Sequence, residues 1–324
     1  MMRHITRIVL ITWICIYSIN ANDFKDRAYQ KIKAILGSSF QNGVDPYSEE
    51  YQDKHPALRH IELKEHIGNL WLIDNFRNGY AESDPEQTPI WTSAMIDTSK
   101  VLGAKMMINT FTVKVGFVNV KAGHAQMLFE FEDGGVELPN QKINTLVNSF
   151  EAFRGKGVKY GLVKGIQDAY DSVYVMSTYE DAIQKARTSY EDVTLFELNL
   201  SREQVKQLLI NSIITAADKA GLIDTPYHTT RNSCVTNQIK LVNTVVDPEQ
   251  RIKEWHKVFG LKVIRTFGSI LPGSVGKTLK KFELVRDEVA YSSKEAIEEH
   301  YQELTRQQTS LSRKISIFTA LYDE

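Results

Sequence analysis

The chain has 324 residues, 39 basic against 40 acidic side chains, a formal net charge of −1 and two cysteines. A balance this close to neutral argues against a general nucleic-acid binder, which presents a basic face. Two cysteines cannot staple a chain of this size, so its stability rests on an ordinary hydrophobic core, and 42% apolar residues are ample for one large domain or two small ones.

Residues 1–21 carry Arg3 and Arg7, an apolar run from Ile8 to Ile19, and then Asn20-Ala21. That is the basic, apolar, small-residue order of a secretory signal. The run falls short of the roughly 20 residues a membrane helix needs. The expectation is an exported protein, periplasmic or secreted, with an uncleaved N-terminal anchor as the alternative. Later stretches lack the length and apolarity of a membrane helix, so the mature chain is expected to be soluble or peripheral. Cys15 lies inside the signal and is assigned no role. Cys234 is then the one cysteine left.

Residues 22–58 read as a polar N-terminal extension, with a short helix near 24–36 followed by a loop containing Gly37, Gly43 and the acidic Ser48-Glu49-Glu50. The core is expected over 59–283, its apolar segments starting near Leu63. Leu70 to Phe76 reads as a strand and Ala81 to Thr88 as an acidic loop. From Thr110 to Val120, Phe111, Val113, Val115 and Phe117 alternate with other residues, the period-two signature of a strand. Gly123 is expected to break it. His124 then opens a second alternating run, with His124, Gln126, Leu128 and Glu130 on one face and Ala125, Met127, Phe129 and Phe131 on the other. Asp133-Gly134-Gly135 is a hairpin turn signal.

Further strands are expected at Asn144–Phe153, with Ser149 and Glu151 on one face, and at Tyr170–Met176 and Val193–Leu200, with a helix over Tyr179–Thr188. Ser201 and Gln204 form a capping box that opens a helix with an apolar stripe of Val205, Leu208, Leu209 and Ile213, stopped at Gly221. A second helix is expected from about Asn232 to Val245, which puts Cys234 in its first turn, where the macrodipole favours a thiolate. Short helices follow from Trp255, Leu271-Pro272-Gly273 reads as a break, and 284–324 as a helical tail. No internal repeat is present.

Exported proteins normally pair their cysteines, so an unpaired one suggests a thiol kept for its reactivity. A cysteine nucleophile needs a base within hydrogen-bond reach, and that base needs an orienting acceptor. His124 and Glu151 are the candidates. The bland alternative is that Cys234 is a small core residue and His124 a structural histidine. Gly273-Ser274-Val275-Gly276-Lys277-Thr278 approaches a phosphate loop but lacks its first glycine, since Leu271 stands there. His55, His60 and His66 fit no standard metal spacing and read as surface residues. Lys262, Arg265, Lys277, Lys280 and Lys281 make a modest basic stretch, a solvated face or a contact with an anionic membrane surface. No cofactor or metal is called for.

Three patches in this order resemble the Lnb N-terminal periplasmic domain family. They are Gly123-His124-Ala125 followed by Leu128-Phe129-Glu130-Phe131; Ser149 through Gly157, with Glu151 and Arg154; and Tyr227 through Cys234, with Asn232. Tyr179-Glu180-Asp181, Arg187 and Leu271-Pro272-Gly273 are similar to further family positions, and the likeness covers about 60–280. Two departures stand out. Ser233 occupies a place where the family often has a second Asn, and Phe153 shifts the expected arginine to Arg154. The resemblance implies an α+β fold, a circularly permuted papain-like core related to the NlpC/P60 thiol fold, with an antiparallel sheet packed on helices and His preceding Cys. It implies Cys234 as nucleophile, His124 as base and Glu151 as orienting group, with Asn232, Ser149, Arg154 and Tyr227 as oxyanion or supporting residues. It also implies thioester chemistry, associated with lipoprotein N-acyl transfer in longer, membrane-spanning members of the family. The expected substrate is a lipid or another cell-envelope ester or amide. The alternatives are a cell-wall amidase or peptidase and a non-catalytic envelope binding module.

Overall fold

The structure is a computed structural model that describes residues 53–80, 89–115, 117–189, 192–229, 231–252 and 272–306, together with residues 27, 30 and 31. The signal, most of the 24–36 helix, the acidic loop at 81–88, the short helices expected from Trp255 and the end of the tail lie outside the described residues. In chain order the strands are β1 (Glu62–Ile67), β2 (Leu70–Tyr80), β3 (Pro89–Asp97), β4 (Val101–Val115), β5 (Val118–Phe131), β6 (Val136–Leu138), β7 (Gln141–Ile143), β8 (Thr145–Phe153), β9 (Asp171–Ser177), β10 (Asp192–Leu198) and β11 (Val285–Tyr291). The helices are α1 (Leu162–Ile166), α2 (Tyr179–Ser189), α3 (Arg202–Ala217), α4 (Lys219–Ile223), α5 (Cys234–Asn243), α6 (Pro272–Lys281) and α7 (294–306).

The fold is mixed α+β. One large sheet runs β11-β10-β4-β5-β8-β9-β2-β3-β6-β7, with β1 added to β2. Its ladders are antiparallel except for a single parallel bridge, Arg77↔Ser177, that joins β2 to β9. Both faces are covered. On one, α3, α5 and α6 bring Leu208, Leu209, Val235, Leu241 and Leu279 against Met106, Ile108, Met127, Phe129 and Phe150. On the other, Ala182, Ile183 and Ala186 of α2 and Ile297 of α7 pack on Met107, Leu128, Val147 and Leu195. Burial on both sides explains why β4 reads as a nearly continuous apolar run at Met106-Met107-Ile108 rather than as a clean alternation.

Several sequence expectations are corrected by this arrangement. Thr110–Val120 is not one strand but the two arms of a hairpin, since Val115 pairs with Val118. The apolar phase continues across the turn, so periodicity alone cannot see it, and Phe117 ends up fully exposed at the tip. Gly123 does not break the chain either: β5 runs through it, paired with Thr110. The helix capped by Ser201 and Gln204 ends at Ala217, four residues before Gly221, because Asp218 closes it and starts α4 by accepting from the Gly221 N–H. Pro272 opens a helix rather than breaking one, the position where its missing N–H costs nothing. The near-phosphate loop is therefore helix, and Gly276 lets it approach β10, because a Cβ there would stand 2.4 Å from the Phe196 ring. Within the expected helical tail, Val285–Tyr291 is a strand on β10, and helix begins only at 294.

Candidate active site

The β5–β8 ladder supplies the geometry. It ends at Gln126↔Ser149, although two further register steps would set His124 opposite Glu151. Beyond Gln126↔Ser149, β8 pairs only with β9, and β5 only with β4. The two strands part there, and the side chains of His124, Ser149 and Glu151 meet on one face of the split. The His124 Nε2 lies 3.0 Å from Glu151 Oε1 and 2.9 Å from Ser149 Oγ, and the Ser149 hydroxyl donates to the same carboxylate oxygen at 2.9 Å. Lys185 of α2 reaches Oε1 as well, at 3.4 Å.

Cys234 comes to the split from the opposite face. It is the first residue of α5, whose N-cap Ser233 makes a reciprocal capping box with Thr236. One helical turn later the Gln238 amide donates to the Asn148 carbonyl at 3.0 Å and anchors α5 on β8. Cys234 thus points from the helix N-terminus into the opening, 4% exposed. The unpaired side of β5 turns two backbone groups to its sulfur, the Gly123 carbonyl at 4.0 Å and the Ala125 N–H. The His124 imidazole is the first of the neighbours that ease ionisation of this thiol.

Burial pushes the Cys234 thiol up, but the neighbouring His124, its hydrogen bond and the Ala125 N–H outweigh it, so the thiol sits below its ordinary value. Burial likewise pushes Glu151 up, yet His124 and Lys185 hold its carboxyl well below the usual range. A thiol with eased ionisation, an imidazole and a carboxylate held in its charged form thus meet where β5 and β8 part.

The other predicted residues divide. Tyr227 is buried in the same core cluster as Cys234, stacked on Phe150 with ring centroids 5.7 Å apart. Asn232 does not face the thiol. Its amide hydrogens go to the Thr225 and Pro226 carbonyls at 3.1 and 3.0 Å, and its oxygen accepts from Asn237 at 2.9 Å. A short loop reversal needs those bonds more than the site does, so Asn232 shapes the approach to α5 and offers no oxyanion donor. Arg154 is turned to the Val158 carbonyl at 3.4 Å and does not reach sulfur. Nor do the three histidines behave alike. His66 is exposed and stacked on Trp71, His55 is half-buried, and His60 is buried edge-on to Phe153, which corrects the surface reading for His60. Burial lowers both His55 and His60 to about 4.

Sequence reasoning missed Lys185, Tyr160 and the Ala125 N–H. No local motif marks them: Lys185 lies on a helix 34 positions from its partner, Tyr160 sits in a loop, and a backbone donor has no letter. On the same face as α5, a groove of about 540 Å³ runs between β4, β10 and α6. Its floor includes Ile108 and Thr110, the register partners of Ala125 and Gly123, so it comes within one strand of the thiol's backbone contacts.

The Lnb N-terminal periplasmic domain matches residues 106–267, half of the chain, a span that holds His124, Ser149, Glu151, Tyr227 and Cys234. No curated protein and no solved structure matches the chain.

Proposed function

The chain belongs to the Lnb N-terminal periplasmic domain family, and from that membership and the thiol–imidazole–carboxylate line we propose a cysteine-dependent acyltransferase or hydrolase of the cell envelope. The family name supports a periplasmic setting. The observation that carries the chemistry is the contact of His124 Nε2 with Glu151 at 3.0 Å, with His124 easing the ionisation of the Cys234 thiol. The permuted papain-like core belongs to the same reading, with His124 supplied by a strand before the Cys234 helix.

In the proposed reaction His124 takes the thiol proton, and the sulfur attacks the acyl carbon of an ester or amide. A C–S bond forms, and the carbonyl electron pair moves onto oxygen. The tetrahedral oxyanion lies at the start of α5, where the first backbone N–H groups have no acceptor within the helix. As the intermediate collapses, His124 returns the proton to the departing alcohol or amine and a thioester remains. An amine or water then attacks, its proton passing to His124, and the C–S bond breaks to restore the thiol. Glu151 keeps the imidazole oriented and stabilises its charged form. The groove beside β4, with Ile108 and Phe196 on its floor and the Lys121–Asp192 and Lys280–Glu288 pairs among its lining, suits an amphipathic envelope substrate such as a lipid, with peripheral contact at a membrane surface.

Mass spectrometry of the protein after incubation with a diacyl lipid donor, beside purified peptidoglycan, tests the proposal. The expected result is an acyl adduct on Cys234 with the lipid, absent in Cys234→Ala. Turnover of peptidoglycan instead would move the reading to a cell-wall amidase. No adduct with either would leave a binding module.

A further inference from the structure

Residues 53–61 form a strap whose only local order is one bridge, Lys54↔Gly155, and a turn closed by the Leu58 N–H on the His55 carbonyl at 2.9 Å. It touches four strands that neighbour one another in the sheet, β8, β9, β2 and β3. Just past the end of β8, the Lys156 N–H donates to the Asp53 carbonyl at 2.8 Å and the His55 N–H to the Arg154 carbonyl at 2.9 Å. Leu58 shares a buried cluster with Val173 and Val175 of β9. On β2, Arg77 Nη1 donates to the Ala57 carbonyl at 2.7 Å and Asn75 Nδ2 to that of His60 at 2.8 Å. On β3, Trp91 Nε1 donates to the Pro56 carbonyl at 3.2 Å, and the Arg59 guanidinium lies 5.0 Å from the ring centroid. The strap therefore spans the seam where β2 and β9 share the single bridge Arg77↔Ser177.

His60 makes this strap sensitive to acid. It is 1% exposed, and neither ring nitrogen meets a hydrogen-bond partner among the described residues. Phe153 of β8 meets its ring edge-on with centroids 4.9 Å apart, and the charged groups that face it are Asp171 at the start of β9 and Lys54 of the strap itself. One carboxylate is thus offset by one cation. A neutral imidazole can stay in such a place, but an imidazolium brings a charge and two N–H donors that find no acceptor there. Burial accordingly lowers His60 from 6.5 to about 4. His55 opposes a proton as well. Its Nδ1 accepts from the Ala57 N–H at 3.3 Å, and it faces Arg154, Lys185 and Arg77 against the one carboxylate of Glu151. Both histidines are held neutral in the docked strap, so docking is at full strength above their ordinary value of 6.5, weakens as pH falls from there and levels off below about 4.

We infer that residues 53–61 are an acid-released clasp: uptake of a proton by His60, whose buried ring has no acceptor, frees the strap from β9, β2 and β3 while the sheet around β4 and β5 stays folded. Release uncovers Val173 and Val175 and withdraws His55 from the neighbourhood of Lys185 and Glu151, so it is felt beside the carboxylate of the candidate site. The inference stands apart from the acyl-transfer reading, and its test needs no substrate.

Amide hydrogen exchange of the full chain at about pH 7 and about pH 4.5, corrected for the intrinsic rate at each pH, reads the release directly. A histidine that goes from about 4 to 6.5 on release favours the released state by about 10–100-fold more at the lower pH. Exchange within residues 53–61 should rise by that factor, while β4, β5 and α3 keep their protection. In His60→Leu, whose side chain takes up no proton, most of the rise should disappear; His60→Gln gives the same comparison where the leucine variant fails to fold. Unchanged exchange of the strap in wild type would overturn the inference. A rise that extends through β4, β5 and α3 would overturn it as well, since the whole chain would then be unfolding. So would a rise undiminished in the His60 variants, since another group would then be taking up the proton.

Discussion

Glu151 is surrounded by three side chains that favour its charged form: His124, Ser149 and Lys185. Its carboxylate in turn gives the imidazolium a counter-charge, so the pH at which Glu151 takes up a proton sets the acid limb of activity. Lys185→Met removes one cation 3.4 Å from Oε1. The carboxyl then rises toward its ordinary value, and because protonation is what silences it, activity is lost at a higher pH as the solution is acidified. The alkaline limb should not move. Glu151→Gln should cost about 10²–10⁴-fold in turnover with Cys234 still present and folded. A pH–rate profile for each variant checks both outcomes. At this scale His124, Ser149, Glu151 and Cys234 were readable from the chain, because residue type and strand alternation suffice to nominate them. Asn232 was not, since nothing in the sequence shows that its amide is consumed by the Thr225 and Pro226 carbonyls. Lys185 was hidden for another reason: its partner is reached only once α2 has packed on the sheet.

Elements bring these residues together through interruptions rather than through regularity. Where β5 and β8 stop pairing at Gln126↔Ser149, backbone groups that a ladder would consume are left to face Cys234. Alternation identified both strands but not the place where they separate, because side-chain period carries no information on which neighbour a strand leaves. The Ser201 and Gln204 capping box was legible, being a purely local pattern. Local signals also erred, at Gly123 because β4 pairs across it and at Pro272 because proline suits the first position of a helix. A second seam joins the sheet's halves. The single Arg77↔Ser177 bridge is backed by the Arg77–Asp181 ion pair, 2.6 Å long with side chains 2% and 0% exposed, and by the Arg77 Nη1 donation to the Ala57 carbonyl at 2.7 Å. Asp181→Asn leaves a buried guanidinium without its counter-charge, a change that costs about 3–5 kcal/mol. Thermal unfolding should show Tm falling by roughly 6–20 °C, at about 2–4 °C per kcal/mol for a chain of this class. An unchanged Tm would mean that the seam does not depend on this pair.

For the whole molecule, the α+β class with an antiparallel sheet packed on helices was legible from strand alternation, helix caps and the family resemblance together. The strand order was not, because non-local pairings such as β2 beside β9 and β11 beside β10 join segments far apart in the chain without leaving a local pattern. Nor was the edge position of β11, whose charged sequence, Val285-Arg286-Asp287-Glu288-Val289, reads equally as a solvated helix until β10 is there to pair with it. The long-range result of this topology is that a helix N-terminus from one face and a strand histidine from the other share a single opening. On the proposed reading this meeting activates the thiol, and the rate of Cys234 alkylation by iodoacetamide from about pH 4 to about pH 9, in wild type and in His124→Ala, tests it. The expected wild-type rate is already high well below the ordinary thiol pKa of about 8.5, with the profile displaced to higher pH when His124 is removed. A rate that rises only near that ordinary value, identical in the two proteins, would contradict it.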